Sequence, residues 1–299
     1  MNSCNCNIAL ANLGIQECPI DSFGFIAGAL FFPTYKEDGS DNFIPVVGGG
    51  ITQELLESLL YAENPYNRFQ NLYNLSNAEL VSANVEYKEL NNNEKTRVNE
   101  TPMSFSTGLN KVSFKLAKDL KNLSCDDVSV VFYDEYNNIL GVDEGLTNVY
   151  GFKINMSTFD PKIIFAKKGE TSSKIMLSFD LDINANNSDL IVIPSEFVTA
   201  DLNTRSMIDI NLTNNGSVED LIKIVATQSF SNLFTNFYYI GKEDKFILLD
   251  NEQNEVTVSI NEVSDGNYEL SGTIPIGTYL IKGNDFENGF NIKNSTITI

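Results

Sequence analysis

"KIMLSFDLDINANNSD", residues 174–189, is a period-two run that ends in polar turn formers. Ile175, Leu177, Phe179, Leu181 and Ile183 alternate with Lys174, Ser178, Asp180 and Asp182. That is the pattern of a β-strand with one face in a core and the other in water. "NANNSD" (184–189) has only Ala185 to anchor it and reads as a domain boundary. The stretch therefore predicts a β domain that closes near 187 and a second domain over 188–299.

C-terminal to it come "MIDINL", "DLIKIVA", "NFYYI", "KFILL", "EVTVSI", "YELSGTI", "TYLIKG" and "STITI", separated by turn clusters. Short strands at roughly ten-residue spacing predict an antiparallel sandwich of Ig-like type. N-terminal to it, "VYGFKINM" (149–156) and "VSVVFY" (128–133) are rich in β-branched and aromatic residues and read as strands. "FGFIAGALFF" (23–32) reads as a buried strand, closed by Pro33 and the turn residues of "KEDGSDN". "MSFSTGLNKVSFKL" (103–116) alternates well enough for another.

Two segments change period. In "TQELLESLLYAEN" (52–64), Leu55, Leu56, Leu59 and Leu60 fall on one helical face, Thr52 is placed to cap, and Asn64-Pro65 marks the end. Leu116, Leu120 and Leu123 suggest a second short helix. Residues 74–104, with "ELNNNEKTRVNETP", show no regular period and are expected to form a long interaction loop. Residues 1–22 mix Asn, Cys, Gly and Pro without period and are expected to be an arm that orders on a partner.

Composition removes several chemistries. The 299 residues hold 40 Asp and Glu against 20 Lys and Arg, a net charge of −20, and no His. The charge disfavours nucleic-acid recognition and anionic membranes. The missing His removes Ser-His-Asp and Cys-His catalysis and His-ligated metals. "DEYNN" (134–138) fails as a calcium loop, with Ile139 where Gly is needed and Gly145 where a bidentate Glu is needed. It is expected to be a turn, since Asp and Asn close turns through their own side chains. "GGG" (48–50) lacks the ending of a P-loop and reads as a lead into the helix. Carboxylate pairs such as Asp126-Asp127, Asp180/Asp182 and Glu243-Asp244 read as solvated faces rather than glycosidase acids. Asn-x-Ser/Thr triplets at Asn74, Asn122 and Asn211 follow from the Asn-rich composition. Cys4, Cys6, Cys18 and Cys125 read as free thiols, with a Cys4 zinc site as the sharper alternative. No cofactor and no catalytic residue is expected. No cationic and apolar leader opens the sequence, and no run approaches eighteen apolar residues, so a soluble protein without membrane insertion is expected.

The order of these features resembles the tail tube, or major tail, proteins of tailed bacteriophages. It is carried by the arm "CNCN…ANLGIQECP", the strand ending "FFPTYKEDGS", the Leu-rich helix, the variable loop, "LKNLSCDDVSVVFYDEYNNILG" and a C-terminal Ig-like module. It covers most of residues 1–183 in order and only the architecture beyond 188. One departure is the glycine-free turn "DEYNN", which stands where an Asp-Gly-Asn type hairpin is associated with that group.

The resemblance implies a mainly β chain: an arm over 1–22, a β-barrel or sandwich domain over 23–187 with one or two short helices, and an Ig-like sandwich over 188–299. It implies a virion protein of the phage tail, assembled in the host cytoplasm as hexameric rings stacked into a tube. Its partners would be itself and other tail proteins, with genomic DNA as transient, non-specific cargo. The expected interface residues are Ile8, Leu10, Leu13 and Ile15 in the arm, and Glu86, Tyr87, Lys88, Glu89, Lys95 and Arg97 in the loop. A capsid decoration or head-fibre protein and a carbohydrate-binding, adhesin-like sandwich are the alternatives.

Overall fold

The computed structural model describes residues 23–46, 50–89, 95–110, 114–123, 127–143, 148–168, 173–187, 190–228, 237–283 and 285–299. The chain is mainly β with two α-helices among the described residues. Two compact units are present: one holds the chain up to Leu56 together with Tyr66–Thr204, the other holds Glu57–Pro65 and Arg205–Ile299.

The elements of the first unit run β1 (Ile26–Pro33), β2 (Phe43–Pro45), α1 (Gln53–Leu60, which crosses into the second unit), β3 (Gln70–Leu72), β4 (Leu75–Val81), β5 (Val85–Glu89) and β6 (Lys95–Glu100). They continue with β7 (Ser104–Asn110), α2 (Phe114–Asn122), β8 (Val128–Asp134), β9 (Ile139–Asp143), β10 (Asn148–Tyr150), β11 (Phe152–Ile164), β12 (Lys174–Leu181) and β13 (Leu190–Ile193). Eleven of these strands make one sheet in the order β2-β10-β9-β8-β11-β12-β7-β4, with β1 between β3 and β8 and with β13 on β9. Its two ends, β2 and β4, do not pair, so of the two expected forms, barrel or sandwich, the barrel does not close.

β8 is the centre of this unit. All seven of its residues are buried, and β1, β9 and β11 all pair with it. A strand covered on both faces has no alternation to show, which is why "VSVVFY" is apolar except at Ser129, whose buried hydroxyl is hydrogen-bonded to Thr34 Oγ1 at 2.9 Å. The core is aromatic: Phe31 meets Phe179 edge-on at 5.8 Å, and Phe105 lies 4.8 Å from Phe132. "VYGFKINM" is split at Gly151, where the chain leaves the β9–β10 pairing for that of β8 and β11. A Cβ there would stand 2.7 Å from the Phe32 ring and 2.8 Å from the Ser129 side chain.

The helices form where the period-3.6 pattern places them. Thr52 Oγ1 accepts the Leu55 N–H at 3.3 Å, the N-cap bond expected of it, and Leu56 and Leu60 are buried. Helix α1 stops at Leu60 and Pro65 opens a 3-10 turn instead of ending the helix. In α2, Leu120 is buried, with Leu116 and Leu123 packed partly against the core. Strand β7 stops at Asn110, so Phe114–Leu116, which alternation would assign to a strand, belong to the helix.

Two expectations about segments change. "NANNSD" does not end the first unit: Ile183–Asn187 is a 3-10 turn, and Leu190–Ile193 returns to pair with β9. The unit continues to Thr204. Its last residues are held by Ile51 N–H to Phe197 O at 2.7 Å, by Asn71 Nδ2 to Leu202 O at 2.7 Å, and by Tyr133 Oη to Leu202 O at 2.9 Å. Gly50 permits that approach, because at φ 94° its Cβ would fall 1.9 Å from Phe197 O. Nor are residues 74–104 a loop; they contain β4, β5, β6 and the start of β7. Polar turn formers mark turns inside a unit as readily as linkers between units, and a ribbon with two polar faces has no apolar period to betray it.

The second unit contains β14 (Ile208–Asn214), β15 (Leu221–Gln228), β16 (Phe246–Leu249), β17 (Ser259–Ser264), β18 (Asn267–Ser271), β19 (Thr278–Gly283), β20 (Phe290–Ile292) and β21 (Ser295–Thr298). Five strands, β17-β18-β15-β14-β20, face three, β16-β19-β21, across one core that includes Ile210, Ile224, Phe246, Leu270, Ile281 and Ile297. This is a β-sandwich. It is not wholly antiparallel, since β20 runs parallel to β14. "NFYYI" contributes only an isolated bridge at Tyr238, and "EVTV" precedes rather than belongs to β17.

Candidate functional site

Strands β4 and β7 pair antiparallel at the end of the large sheet, to Val81 opposite Ser104. The chain then carries the same two-stranded path onward. Asn84 and Thr101 close the gap with Thr101 N–H to Asn84 O at 2.9 Å and Asn84 N–H to Thr101 Oγ1 at 3.1 Å. Beyond them β5 and β6 pair from Val85 opposite Glu100 to Glu89 opposite Lys95, with a bulge between Glu86 and Tyr87. The five residues of β5 span roughly 16 Å at the usual rise.

β5 and β6 pair with each other and with no other described strand. Register places Tyr87 opposite Arg97, Lys88 opposite Thr96 and Glu89 opposite Lys95, so the six loop positions expected at an interface share one ribbon. Glu86 and Glu89 are exposed, and Tyr87 is 61% exposed. The other expected interface positions, Ile8, Leu10, Leu13 and Ile15, lie outside the described residues, as do Cys4, Cys6, Cys18 and Cys125. Among the described residues no group of three or more Cys, Asp or Glu is placed to hold a metal.

The polar centres inside the two units are structural. Asp134 is fully buried at the end of β8. Its carboxylate accepts the N–H groups of Gly24 at 2.6 Å, Tyr136 at 2.8 Å and Asn138 at 2.8 Å, and Asn138 Nδ2 at 2.8 Å. Four donors fill its lone pairs, so "DEYNN" is a turn built around a carboxylate, with Asn137 in the left-handed region at φ 67°. The connection between β8 and β9 is four residues long. Tyr133 Oη also bonds Asn71 Oδ1 at 3.0 Å, and burial pushes its phenol pKa upward.

In the second unit Asp285 is fully buried, bonded by Tyr239 Oη and by Asn288 Nδ2 at 2.5 Å. Lys242 and Lys245 stand 3.6 Å and 3.8 Å from its two oxygens. Burial pushes the Tyr239 and Tyr268 phenols upward, and Tyr268 Oη donates to Tyr239 O at 2.5 Å. Each of these groups has its partner, and no buried side-chain polar atom among the described residues lacks one.

Sequence patterning passes over a third feature. Ile163, Ile164 and Phe165, at the end of β11, are 36%, 38% and 68% exposed. The signal in the sequence is an apolar triplet set among Lys162, Lys167, Lys168 and Lys174. No helix among the described residues is long and apolar enough to cross a membrane. No protein-family model matches the chain, and no curated protein matches it.

Proposed function

We propose that the chain is a structural virion protein: a tail tube subunit of a tailed bacteriophage that assembles into stacked, hexameric rings forming a conduit for the genome. The reading is non-enzymatic, and the ring number comes from the resemblance of the sequence to that group. The observation that carries it is the β5–β6 ribbon. It is a two-stranded hairpin with exposed residues, Tyr87 among them, and no third described strand. A two-stranded extension of this kind, with no third described strand beside it, gains stability when another surface covers it. In a self-assembling chain that surface is supplied by the next copy.

Two further properties support the reading. The end strands β2 and β4 leave unpaired edges in a long sheet, which neighbouring copies can complete. A net charge of −20 suits a conduit, because carboxylates repel the phosphates of passing DNA and give it no counterion-release attachment.

The test is to replace residues 84–101 with a short Gly-Ser turn and to compare the variant with the full chain by sedimentation velocity over a range of concentrations. The full chain should form large, concentration-dependent species, and the variant should remain folded and small. A full chain that stays monomeric at every concentration contradicts the reading.

A further inference from the structure

The tip of the β11–β12 hairpin is the opposite of the rest of the molecule in charge. Residues 162–174 carry Lys162, Lys167, Lys168 and Lys174 against Glu170, a net +3, and this leaves −23 on the other 286 residues of the chain. Register shows how the charge is arranged. Ile164 lies opposite Lys174 and Lys162 lies opposite Met176, so Lys162, Ile164 and Lys174 share one face of the pair. Ile163 lies opposite the buried Ile175 on the other face, and Phe165 follows the last paired residue. Lys167 and Lys168 are exposed in the connection that follows.

Three consecutive exposed apolar residues are unfavourable in water, and most of the Ile and Val side chains in the large sheet are buried. The apolar triplet fits a surface that covers it, and the surrounding lysines specify an acidic one. A second copy of this chain supplies acidic surface and meets the tip as its complement.

We infer that the β11–β12 tip docks, through Ile163, Ile164, Phe165 and its lysines, onto an acidic surface of a second copy of this chain. The inference rests on the self-assembly reading for its choice of partner, but it uses a different element from the β5–β6 ribbon. A contact of this size lies far below the roughly 1,200 Å² of a stable isolated interface, so the tip acts with other contacts and gains its effect by repetition.

The experiment places the photo-crosslinking residue p-benzoylphenylalanine at position 164 of the full chain. In parallel it compares the full chain with Ile164→Glu and with the triple variant Lys162→Glu/Lys167→Glu/Lys168→Glu. Circular dichroism and thermal melting confirm that the variants fold; one that does not is replaced by Ile164→Ser or the corresponding triple Gln variant. The expected results are cross-linked dimers of the chain, and a concentration threshold for assembly raised at least tenfold in both variants. Raising the salt should weaken the wild-type contact and leave the triple variant little changed.

Unchanged assembly in both variants with no dimer cross-link overturns the tip assignment and leaves the ribbon reading standing. A wild-type chain that never assembles, yet gives specific dimer cross-links from position 164, keeps the tip contact and removes the tube. Tip-dependent binding to vesicles of anionic phospholipid or to duplex DNA, with no cross-linked dimer, overturns the choice of partner.

Discussion

β8 and the β5–β6 ribbon are both β-structure from the same unit, and they are held in opposite ways. β8 has seven buried residues, three strand neighbours and the Asp134 carboxylate tying off its end. The ribbon has only its own two strands in register and presents Glu86, Tyr87 and Glu89 to solvent. The folding energy of the unit is invested in the first. Nothing in the unit's core requires the second, so its sequence is available to be specified by a partner. Under the proposed function, that difference separates substitutions that unfold the protein from substitutions that change only its assembly.

The largest effect is expected in β8. Phe132→Ala removes a fully buried ring that meets Phe105 and Phe152, and should lower stability by about 3–5 kcal/mol in urea denaturation. A loss below about 1 kcal/mol would remove β8 from the centre of the account. Next comes Asp134→Ala, which leaves the donors of Gly24, Tyr136 and Asn138 without their acceptor. Its cost should be roughly 2–4 kcal/mol, read in the same assay, with Asp134→Asn recovering part of it.

Alkaline pH gives a smaller, graded effect. The Tyr133, Tyr239 and Tyr268 phenols are held above their ordinary value of about 10, chiefly by burial, so the neutral phenol is favoured in the folded state. Their contribution is fully present below the unfolded value and is lost as pH rises through the folded one. Thermal stability should therefore show no dependence on these three groups below about pH 10 and should fall above it. Tyr133→Phe should flatten that fall while losing the bonds to Asn71 and Leu202. The smallest effect on the monomer is expected at the ribbon: Tyr87→Ala should change stability by less than about 0.5 kcal/mol, yet reduce assembly. A Tyr87→Ala protein that melts several degrees lower would mean that the ribbon belongs to the fold after all.

The same contrast explains what the sequence discloses. Residues 174–181 and 128–134 are legible because burial writes their pattern: alternation where one face is wet, and a mainly apolar, β-branched and aromatic run without alternation where neither is. Helix α1 is legible from its leucines and from Thr52. The strands of 75–100 are not, for two physical reasons. In β4 the apolar residues Leu75, Ala78 and Leu80 are spaced three and then two apart, because a bulge between Ser76 and Glu79, with Asn77 at φ 51°, shifts the period. In β5 and β6 a ribbon without a core face carries polar residues on both sides.

The unit boundary is misplaced by the same logic. "NANNSD" is a turn chemically indistinguishable from a linker, and only long-range bonds such as Asn71 to Leu202 and Tyr133 to Leu202 show that the first unit continues. At the candidate site, sequence named Glu86, Tyr87, Lys88, Glu89, Lys95 and Arg97 as expected interface positions, whereas their pairing in one ribbon is tertiary information. The exposure of the tip at Ile163–Phe165 is visible only in the folded chain, because an apolar triplet in sequence is equally the mark of a buried strand.

Electron microscopy of the purified full chain in negative stain, taken from low to high protein concentration, tests the self-assembly claim most directly. The account predicts rings that stack into tubes of uniform width, and their loss when residues 84–101 are replaced. Single, unassembled particles at every concentration, or tubes that persist without the ribbon, would contradict it.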